Sequence, residues 1–125
     1  MRQPAERITD SELEVMHVLW DADDALPVSE IRKSLQESRG WESTTIKTLV
    51  QRLLDKGAIG QEKRQVFYYR ALISEKEYNV WATGDLIRRL YKGSAKDLIA
   101  ALVHSDELTA EDVDELRAMF REGGK

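Results

Sequence analysis

The apolar residues of this chain keep a helical spacing up to Gly57 and change to a shorter period in residues 58–71. Residues 44–57, TTIKTLVQRLLDKG, show the helical spacing most clearly, because their apolar side chains recur as on one face of an α-helix: Ile46, Leu49, Val50, Leu53 and Leu54. Two short β-prone runs follow at 58–61 and 66–71, with the polar turn 62–65 between them. They predict a β-hairpin directly after a helix.

Helix starts are marked by capping-box spacings, in which Ser or Thr precedes Glu or Asp by three residues: Thr9 with Glu12, Ser74 with Glu77, Ser94 with Asp97, and Thr109 with Asp112. Glycines stand where helix C-caps are expected, at Gly57, Gly93 and Gly123. Together with the apolar periodicity, these signals predict helices at about 10–21, 28–37, 43–56, 74–92, 94–104 and 109–122. The segment DADDALP, residues 21–27, is predicted to be a loop.

Three helices followed by a hairpin are the element order of a winged helix-turn-helix. The predicted fold class is therefore mainly α with a small β-hairpin: a winged helix-turn-helix in residues 1–72, then a three-helix dimerisation segment in residues 73–125. Its apolar stripes are too extensive for a stable monomer, and a two-fold dimer would present two recognition helices. Packing onto the N-terminal domain is the alternative. The candidate dimerisation residues are Tyr78, Trp81, Leu86, Leu90, Leu98, Leu102, Leu108, Leu116, Met119 and Phe120.

The net charge of −4 conceals a basic segment in the middle of the chain. Residues 32–70 carry nine bases and four acids, a balance of +5, whereas residues 5–31 carry one base and eight acids. The third helix turns donors and cations outward, and in a helix-turn-helix this helix enters the major groove. We therefore expect it to contact double-stranded DNA through Thr44, Thr45, Lys47, Thr48, Gln51 and Arg52.

The hairpin and the residue before the third helix carry further expectations. Lys63 and Arg64, in the hairpin turn, are candidates for phosphate contacts. Trp41 is expected to pack on the start of the third helix. Tyr68 and Tyr69 are expected on opposite faces of a strand, one in the core and one free to offer its hydroxyl to phosphate.

Several function classes have no support in the sequence. The chain has no cysteine, which excludes disulfides and thiolate metal sites. No apolar run approaches the roughly 18–20 residues that span a bilayer, and the N-terminus lacks the apolar segment of a secretory signal. We therefore expect a cytoplasmic protein without membrane insertion, cofactor or bound metal. Glu14 and His17 form a single helical pair that lacks the second pair of a metal site, so catalysis is not expected.

Several runs together resemble the penicillinase-repressor family, BlaI/MecI/CopY: ITDSELEVMHVLW, VSEIRKSL, TTIKTLVQRLLDKG, VFYYRALISEKEY and DLIAALVHSDELTAEDVDELRAMF. The resemblance implies a homodimeric transcriptional repressor that binds inverted repeats with TACA/TGTA cores. At matching positions it implies base and backbone contacts by Thr44, Thr45, Lys47, Thr48 and Arg52, and contacts from the wing, the hairpin, by Lys63, Arg64 and Gln65.

Two features depart from that family. The copper-responsive branch binds metal through C-terminal cysteine pairs, which this chain lacks. The β-lactam-responsive branch is cleaved at an Asn-Phe bond, and the aligned position here is Ala101-Leu102. Apart from this difference in sequence, the resemblance implies release by a membrane-sensor-linked protease, with Ala101-Leu102 as the bond that is cut. Two alternatives stay open, a winged-helix adaptor for protein–protein contact and a repressor relieved by a small-molecule ligand.

Overall fold

The computed structural model describes residues 8–123 and consists of two compact units, with the division between Ala82 and Thr83. The elements follow one another as α1 (Asp10–Asp21), β1 (Leu26–Pro27), α2 (Val28–Arg39), α3 (Ser43–Lys56), β2 (Ile59–Lys63), β3 (Phe67–Ala71), α4 (Glu75–Tyr91), α5 (Ala95–Val103) and α6 (Ala110–Gly123). The predicted fold class is confirmed, with helix ends within two residues of the predicted ones. The functional boundary predicted between residues 72 and 73 stays a prediction.

The predicted capping boxes form at three of the four helix starts. The Thr9 hydroxyl accepts from the Glu12 amide at 3.2 Å, and the Glu12 carboxylate accepts from the Thr9 amide at 3.0 Å. The pairs at the starts of α4 and α6 are reciprocal in the same way. At α5 only the Ser94 hydroxyl takes part, because the Ser94 amide donates to the Tyr91 carbonyl at the end of α4.

A glycine in the left-handed conformation ends α3. Gly57 has a φ of 77°, and its amide donates to the Leu54 carbonyl at 3.0 Å while the Ala58 amide donates to the Leu53 carbonyl. An L-residue with a side chain would be strained at this φ, so the glycine allows the chain to turn directly from α3 into β2.

The predicted hairpin is present and belongs to a three-stranded antiparallel sheet with the order β1-β3-β2. Gln61 and Leu26 both pair with Tyr69, from opposite sides of β3. The loop predicted for residues 21–27 is therefore wrong at Leu26–Pro27, which form β1. Two residues are too few to show a strand period, and proline is tolerated there because β1 lies at the sheet edge.

The core of the first unit lies where α1, α2, α3 and the start of β2 meet. The buried apolar residues are Val15, Met16, Leu19, Ala25, Ile31, Leu35, Ile46, Leu49, Val50, Leu53, Ala58, Ile59 and Ile73. Apolar spacing predicts Ile31 and Leu35 of α2 and the stripe of α3 as inward, and they are among these residues; Val28 and Leu54, also predicted inward, are half-buried. On α1 the same spacing predicts Leu13, Met16, Leu19 and Trp20. Met16 and Leu19 are buried, Leu13 and Trp20 are only partly so, and Val15 is buried in addition.

An aromatic series joins α1 to the first turns of α4 within this unit. The Trp20 indole N–H donates to the Ile73 carbonyl at 2.9 Å. The rings of Trp20 and Tyr78 lie 5.7 Å apart, and those of Tyr78 and Trp81 lie 6.2 Å apart. Both α4 residues pack against the core, so the start of α4 is part of the first unit.

The second unit contains the remainder of α4 together with α5 and α6. Its helices leave large apolar side chains exposed, among them Leu90, 62% exposed, and Phe120, 59% exposed. Between α5 and α6 lies an apolar groove of about 230 Å³, lined by Ile99, Leu102, Val103, Leu108, Val113, Leu116, Arg117 and Phe120. Nowhere in residues 8–123 does a helix have the length and apolar character needed to cross a membrane.

Candidate nucleic-acid interface

The outward side of α3 brings together six predicted contact residues on one exposed surface, which we call the α3 outer face: Thr44, Thr45, Lys47, Thr48, Gln51 and Arg52. The opposite side of the helix is buried in the core at Ile46, Leu49, Val50 and Leu53. The surface is available for binding because the buried packing of α3 lies on the other side of the helix.

Two of these side chains are already hydrogen-bonded within the helix. The Thr48 hydroxyl donates to the Thr44 carbonyl at 2.9 Å, so this exposed side chain keeps its methyl group and its oxygen lone pairs for a ligand but has no hydroxyl proton left to donate. The Gln51 amide donates to the Asp55 carboxylate at 3.0 Å. The outer face therefore offers a methyl group, acceptors and two cations, Lys47 and Arg52, that form no ion pair with the described residues. This mixture is suited to base edges and phosphates.

A buried ion pair fixes the end of α3 against the start of α1. Lys56 Nζ lies 2.5 Å from Glu12 Oε1, and the two side chains are 15% and 1% exposed. Burial opposes ionisation of Glu12, but hydrogen bonds from Lys56 and Thr9 outweigh it and hold the pKa of the Glu12 carboxyl below its ordinary value. The sequence prediction missed this pair, although Glu12 was assigned to the capping box that it also completes.

The start of α3 is held by a polar contact and an aromatic one. Gln36 Nε2 of α2 donates to Ser43 Oγ at 3.2 Å, which joins the two helices across their connecting turn. Trp41 is half-buried and packs against the core, so its predicted packing role is confirmed. These contacts determine where the outer face of α3 begins.

The wing carries the three predicted residues Lys63, Arg64 and Gln65 in exposed positions around the hairpin turn. Lys63 Nζ lies 4.7 Å from the centre of the Phe67 ring. Arg64 lies 4.3 Å above the Tyr68 ring, and Tyr69 packs on the core from β3. One tyrosine is thus a core residue, as predicted, and the other supports a wing arginine.

The wing arginine has a carboxylate partner that the sequence prediction did not include. Arg64 Nε donates to Glu62 Oε2 at 3.1 Å, and Arg70 pairs with the other oxygen of the same carboxylate. The hydrogen bonds from Arg64 and then Arg70 lower the pKa of the Glu62 carboxyl, and the bond to Glu62 raises the pKa of Arg64. A phosphate that binds Arg64 must therefore compete with Glu62.

The two residues considered for catalysis have separate partners. Glu14 pairs with Arg39 at 2.9 Å, whereas His17 lies edge-on to Trp20 with 5.4 Å between ring centres and has its Nδ1 3.9 Å from Glu75 Oε2. His17 thus lies at the edge of the packing of α1. Within the described residues, no three His, Asp or Glu side chains form a group that could hold a metal ion.

The sequence profile of the family described as Penicillinase repressor matches residues 8–122. The chain belongs to this family. The penicillinase repressor of Bacillus licheniformis is 32% identical over 117 residues, which cover 93% of this chain and 91% of the relative. The methicillin resistance regulatory protein MecI of Mammaliicoccus sciuri is 32% identical over 111 residues, which cover 88% and 89%.

Solved structures within the penicillinase-repressor family resemble the described fold. The solution structure of the DNA-binding domain of the repressor BlaI has a TM-score of 0.55 and 37% identity, and covers 62% of this chain and 94% of that domain. The Bacillus licheniformis BlaI monomeric form in complex with the blaP half-operator has a TM-score of 0.52 and 38% identity, and covers 58% and 88%.

The dimerisation residues predicted from the apolar stripes lie in both units, and the bond at which family resemblance places cleavage lies in the second. Tyr78 and Trp81 pack in the first unit, and the other eight candidate dimerisation residues lie in the second. Ala101 and Leu102 lie near the end of α5, both exposed, and Leu102 also lines the apolar groove. The dimer contacts and the cleavage site stay predictions.

Proposed function

We propose that this chain represses transcription as a homodimer, with each winged-helix unit bound to one half of an inverted-repeat operator. The observation that carries the proposal is the α3 outer face on the helix that follows the turn. It brings together hydroxyls, an amide and two cations without an ion pair in residues 8–123. Membership of the penicillinase-repressor family supports repression, and the relative solved on a half-operator supports DNA as the ligand.

The α3 outer face reads the half-site from the major groove. Its first turns place Thr44, Lys47 and Thr48 toward base edges, since the N-terminal half of a recognition helix is the part that enters the groove. A threonine methyl fits the thymine methyl, and lysine donates to guanine or to phosphate. Arg52, one turn beyond Thr48, contacts the backbone.

The wing positions the unit on the duplex rather than reading its sequence. Lys63 has no carboxylate partner in residues 8–123, so its ammonium group is available to a phosphate. Arg64 reaches the backbone by exchanging Glu62 for a phosphate oxygen. Both contacts add affinity that depends on salt and little on base sequence.

Dimerisation is assigned to the second unit because its own three helices leave large apolar side chains exposed. The groove between α5 and α6 and the exposed Leu90, Met119 and Phe120 supply an apolar surface of the kind that obligate dimers bury. Joining two half-site readers makes the second binding event intramolecular, which strengthens binding to the palindrome by a factor of about 10²–10⁴.

Release from the operator is assigned to cleavage between Ala101 and Leu102 by a membrane-sensor-linked protease. The bond lies in the last turn and a half of α5, on an exposed surface. Helix ends open more readily than helix centres, so this bond can adopt the extended form that a protease requires. A cut there separates α6 and part of the groove from the winged helix. All of these steps take place in the cytoplasm.

A titration on duplex DNA tests the proposal. A palindromic duplex with TACA/TGTA cores is compared with a scrambled duplex by fluorescence anisotropy, with the full chain and at several salt concentrations. We expect tighter binding to the palindrome and an affinity that falls linearly with the logarithm of salt concentration. Equal binding to both duplexes, or no binding to either, would contradict the proposal and favour an adaptor role.

A further inference from the structure

The exposed side of α2 carries a polar stripe that faces the start of α3. Its members recur at the spacing of one helix face, i, i+3, i+4 and i+7, and they are Ser29, Arg32, Lys33 and Gln36. The other side of α2 is held in the core by Ile31 and Leu35. The polar stripe is therefore fixed in orientation by the packing behind it.

A cleft of about 390 Å³ separates this stripe from α3. It is lined by Ser29, Arg32, Lys33, Gln36, Glu37 and Ser43. The Gln36–Ser43 hydrogen bond of 3.2 Å closes one side and keeps the two helices at a fixed separation. Because Ser43 directly precedes Thr44, the cleft opens beside the first contact residue of the α3 outer face.

The cations of the helix-turn-helix and wing fall into two groups according to their partners. Arg39, Lys56, Arg64 and Arg70 pair with carboxylates of the same unit. Arg32 and Lys33, like Lys47 and Arg52 of the outer face, form no ion pair within residues 8–123. The two neighbouring cations Arg32 and Lys33 repel each other, and an anionic ligand bound between them would relieve that repulsion.

We propose that this cleft binds a phosphate of the DNA backbone next to the half-site that α3 reads. The inference rests on the proposed function, because the ligand is the same duplex. In a helix-turn-helix the first helix crosses the backbone while the second lies in the groove, which places α2 beside the phosphates. Arg32 is half-buried and donates from a fixed position, Lys33 adds a second charge, and Ser29 adds a hydroxyl.

The cleft contains a single acid, whose removal should change DNA affinity in the opposite direction to removal of the cations. Glu37 lines the cleft and forms no ion pair in the described part of the chain. Its carboxylate opposes a phosphate bound to Arg32 and Lys33. The Glu37→Gln change is therefore expected to strengthen DNA binding, whereas loss of the two cations weakens it.

The main experiment compares the full-length chain with Arg32→Ala/Lys33→Ala by anisotropy on palindromic and scrambled duplexes. We expect weaker binding to both duplexes, and a salt slope smaller by up to about two units, because two phosphate contacts are lost. When the salt concentration rises from 50 to 200 mM, the affinity of both proteins falls. The factor by which it falls should be roughly tenfold smaller for the variant than for the original chain. The matched control is Lys76→Ala/Lys96→Ala, which removes two exposed cations outside the helix-turn-helix and should leave the slope unchanged.

A duplex with single methylphosphonate substitutions then locates the contact. We expect one neutral linkage to weaken binding of the original chain but not of Arg32→Ala/Lys33→Ala. That linkage marks the phosphate held in the cleft. If Arg32→Ala/Lys33→Ala had the same affinity and salt slope as the control, phosphate binding in the cleft would be contradicted and the proposed function would remain. Failure of the original chain to bind DNA would instead overturn the proposed function.

Discussion

At the scale of single residues, Thr48 shows how a helix restricts what its own side chains can read. Its hydroxyl donates to the Thr44 carbonyl, so at the proposed interface Thr48 would offer a methyl group and acceptor lone pairs. A base edge that offers only acceptors would find no donor there. The neighbouring Lys47 forms no ion pair with residues 8–123 and would supply donors, so the two residues are expected to recognise different groups.

We predict that Thr48→Ala and Lys47→Ala each weaken binding to the operator by roughly 1–3 kcal/mol if the residue reads a base. Thermal unfolding should barely change, because both side chains lie off the buried stripe of α3. Anisotropy titrations and melting curves measure the two effects. Lys47→Arg is the control, since it keeps the charge and should preserve any contact made only to phosphate. Unchanged affinity in both alanine variants would remove α3 as the reader.

Glu12 leads to a prediction about pH. Its pKa is lowered in the folded state, so the stability it contributes is present above the ordinary value of 4.5 and is lost as the pH falls through the lower folded value. We predict that Glu12→Gln lowers the free energy of unfolding by about 2–3 kcal/mol at pH 7. The difference between the two proteins should shrink toward acid pH, as measured by urea unfolding.

The control for this variant is Glu14→Gln on the same helix. Glu14 pairs with Arg39 near the surface, where both side chains are partly exposed, and such pairs contribute at most about 1 kcal/mol. Two results would contradict the role assigned to the buried pair. One is a free energy of unfolding at pH 7 that is the same for Glu12→Gln and Glu14→Gln. The other is a difference in stability between Glu12→Gln and the original chain that does not change with pH.

At the scale of elements, the wing has its cations partly neutralised before DNA arrives. Glu62 binds Arg64 and Arg70, and only Lys63 at the hairpin end has no carboxylate partner in the described residues. The wing is therefore less positive than its sequence indicates, and its net gain on binding phosphate is reduced by the bond that Arg64 must give up.

We predict that Lys63→Ala/Arg64→Ala weakens binding to all duplexes about equally and flattens the salt slope by roughly one to two units. The comparison is made by anisotropy on palindromic and scrambled duplexes, with Lys76→Ala as a control outside the wing. If only the palindrome were affected, the wing would be reading sequence, and its assignment as a backbone contact would be wrong.

Local signals in the sequence predict the helices well because the ends are determined by neighbours three or four residues away. Capping boxes and a glycine after α3 define those ends, and apolar spacing predicts most of the core. The misses depend on contacts between distant residues. β1 exists only because β3 lies beside it, and Glu12 is buried only because Lys56, 44 positions later, reaches it.

The candidate site follows the same pattern. Exposure of the α3 outer face follows from helical periodicity, which requires no knowledge of other elements. The carboxylate that holds Arg64 and the cleft between α2 and α3 depend on how elements pack, and sequence alone does not supply that. The charge pattern of residues 32–70 was a usable signal for the cleft, since Arg32 and Lys33 contribute to it.

At the scale of the whole molecule, the two units differ in how far their apolar residues are buried. Every buried residue of the described chain lies between Glu12 and Ile73, so the first unit has a complete core. The helices α4, α5 and α6 contribute no buried residue. We therefore expect the first unit to remain folded when the end of the chain is removed. The second unit leaves large apolar side chains exposed, as the proposed dimer would require.

We predict that a chain ending at Ala101 is monomeric, remains helical and binds the full palindrome at least about 100-fold more weakly than the complete chain. Removal of residues 102–125 takes away α6 and with it Leu108, Leu116, Met119 and Phe120. Sedimentation, circular dichroism and anisotropy measure the three properties. A truncated chain that sedimented as a dimer with full operator affinity would refute both the dimer assignment and release by cleavage.

The packing of the aromatic residues has an optical consequence. All three tryptophans of the chain, Trp20, Trp41 and Trp81, pack against the core of the first unit, and the sequence after residue 82 contains none. Excitation at the red edge of the protein spectrum therefore selects the first unit alone. Its emission is expected to respond when DNA binds beside Trp41 and to keep its wavelength when residues 102–125 are lost, so the chain carries a label for one unit without chemical modification.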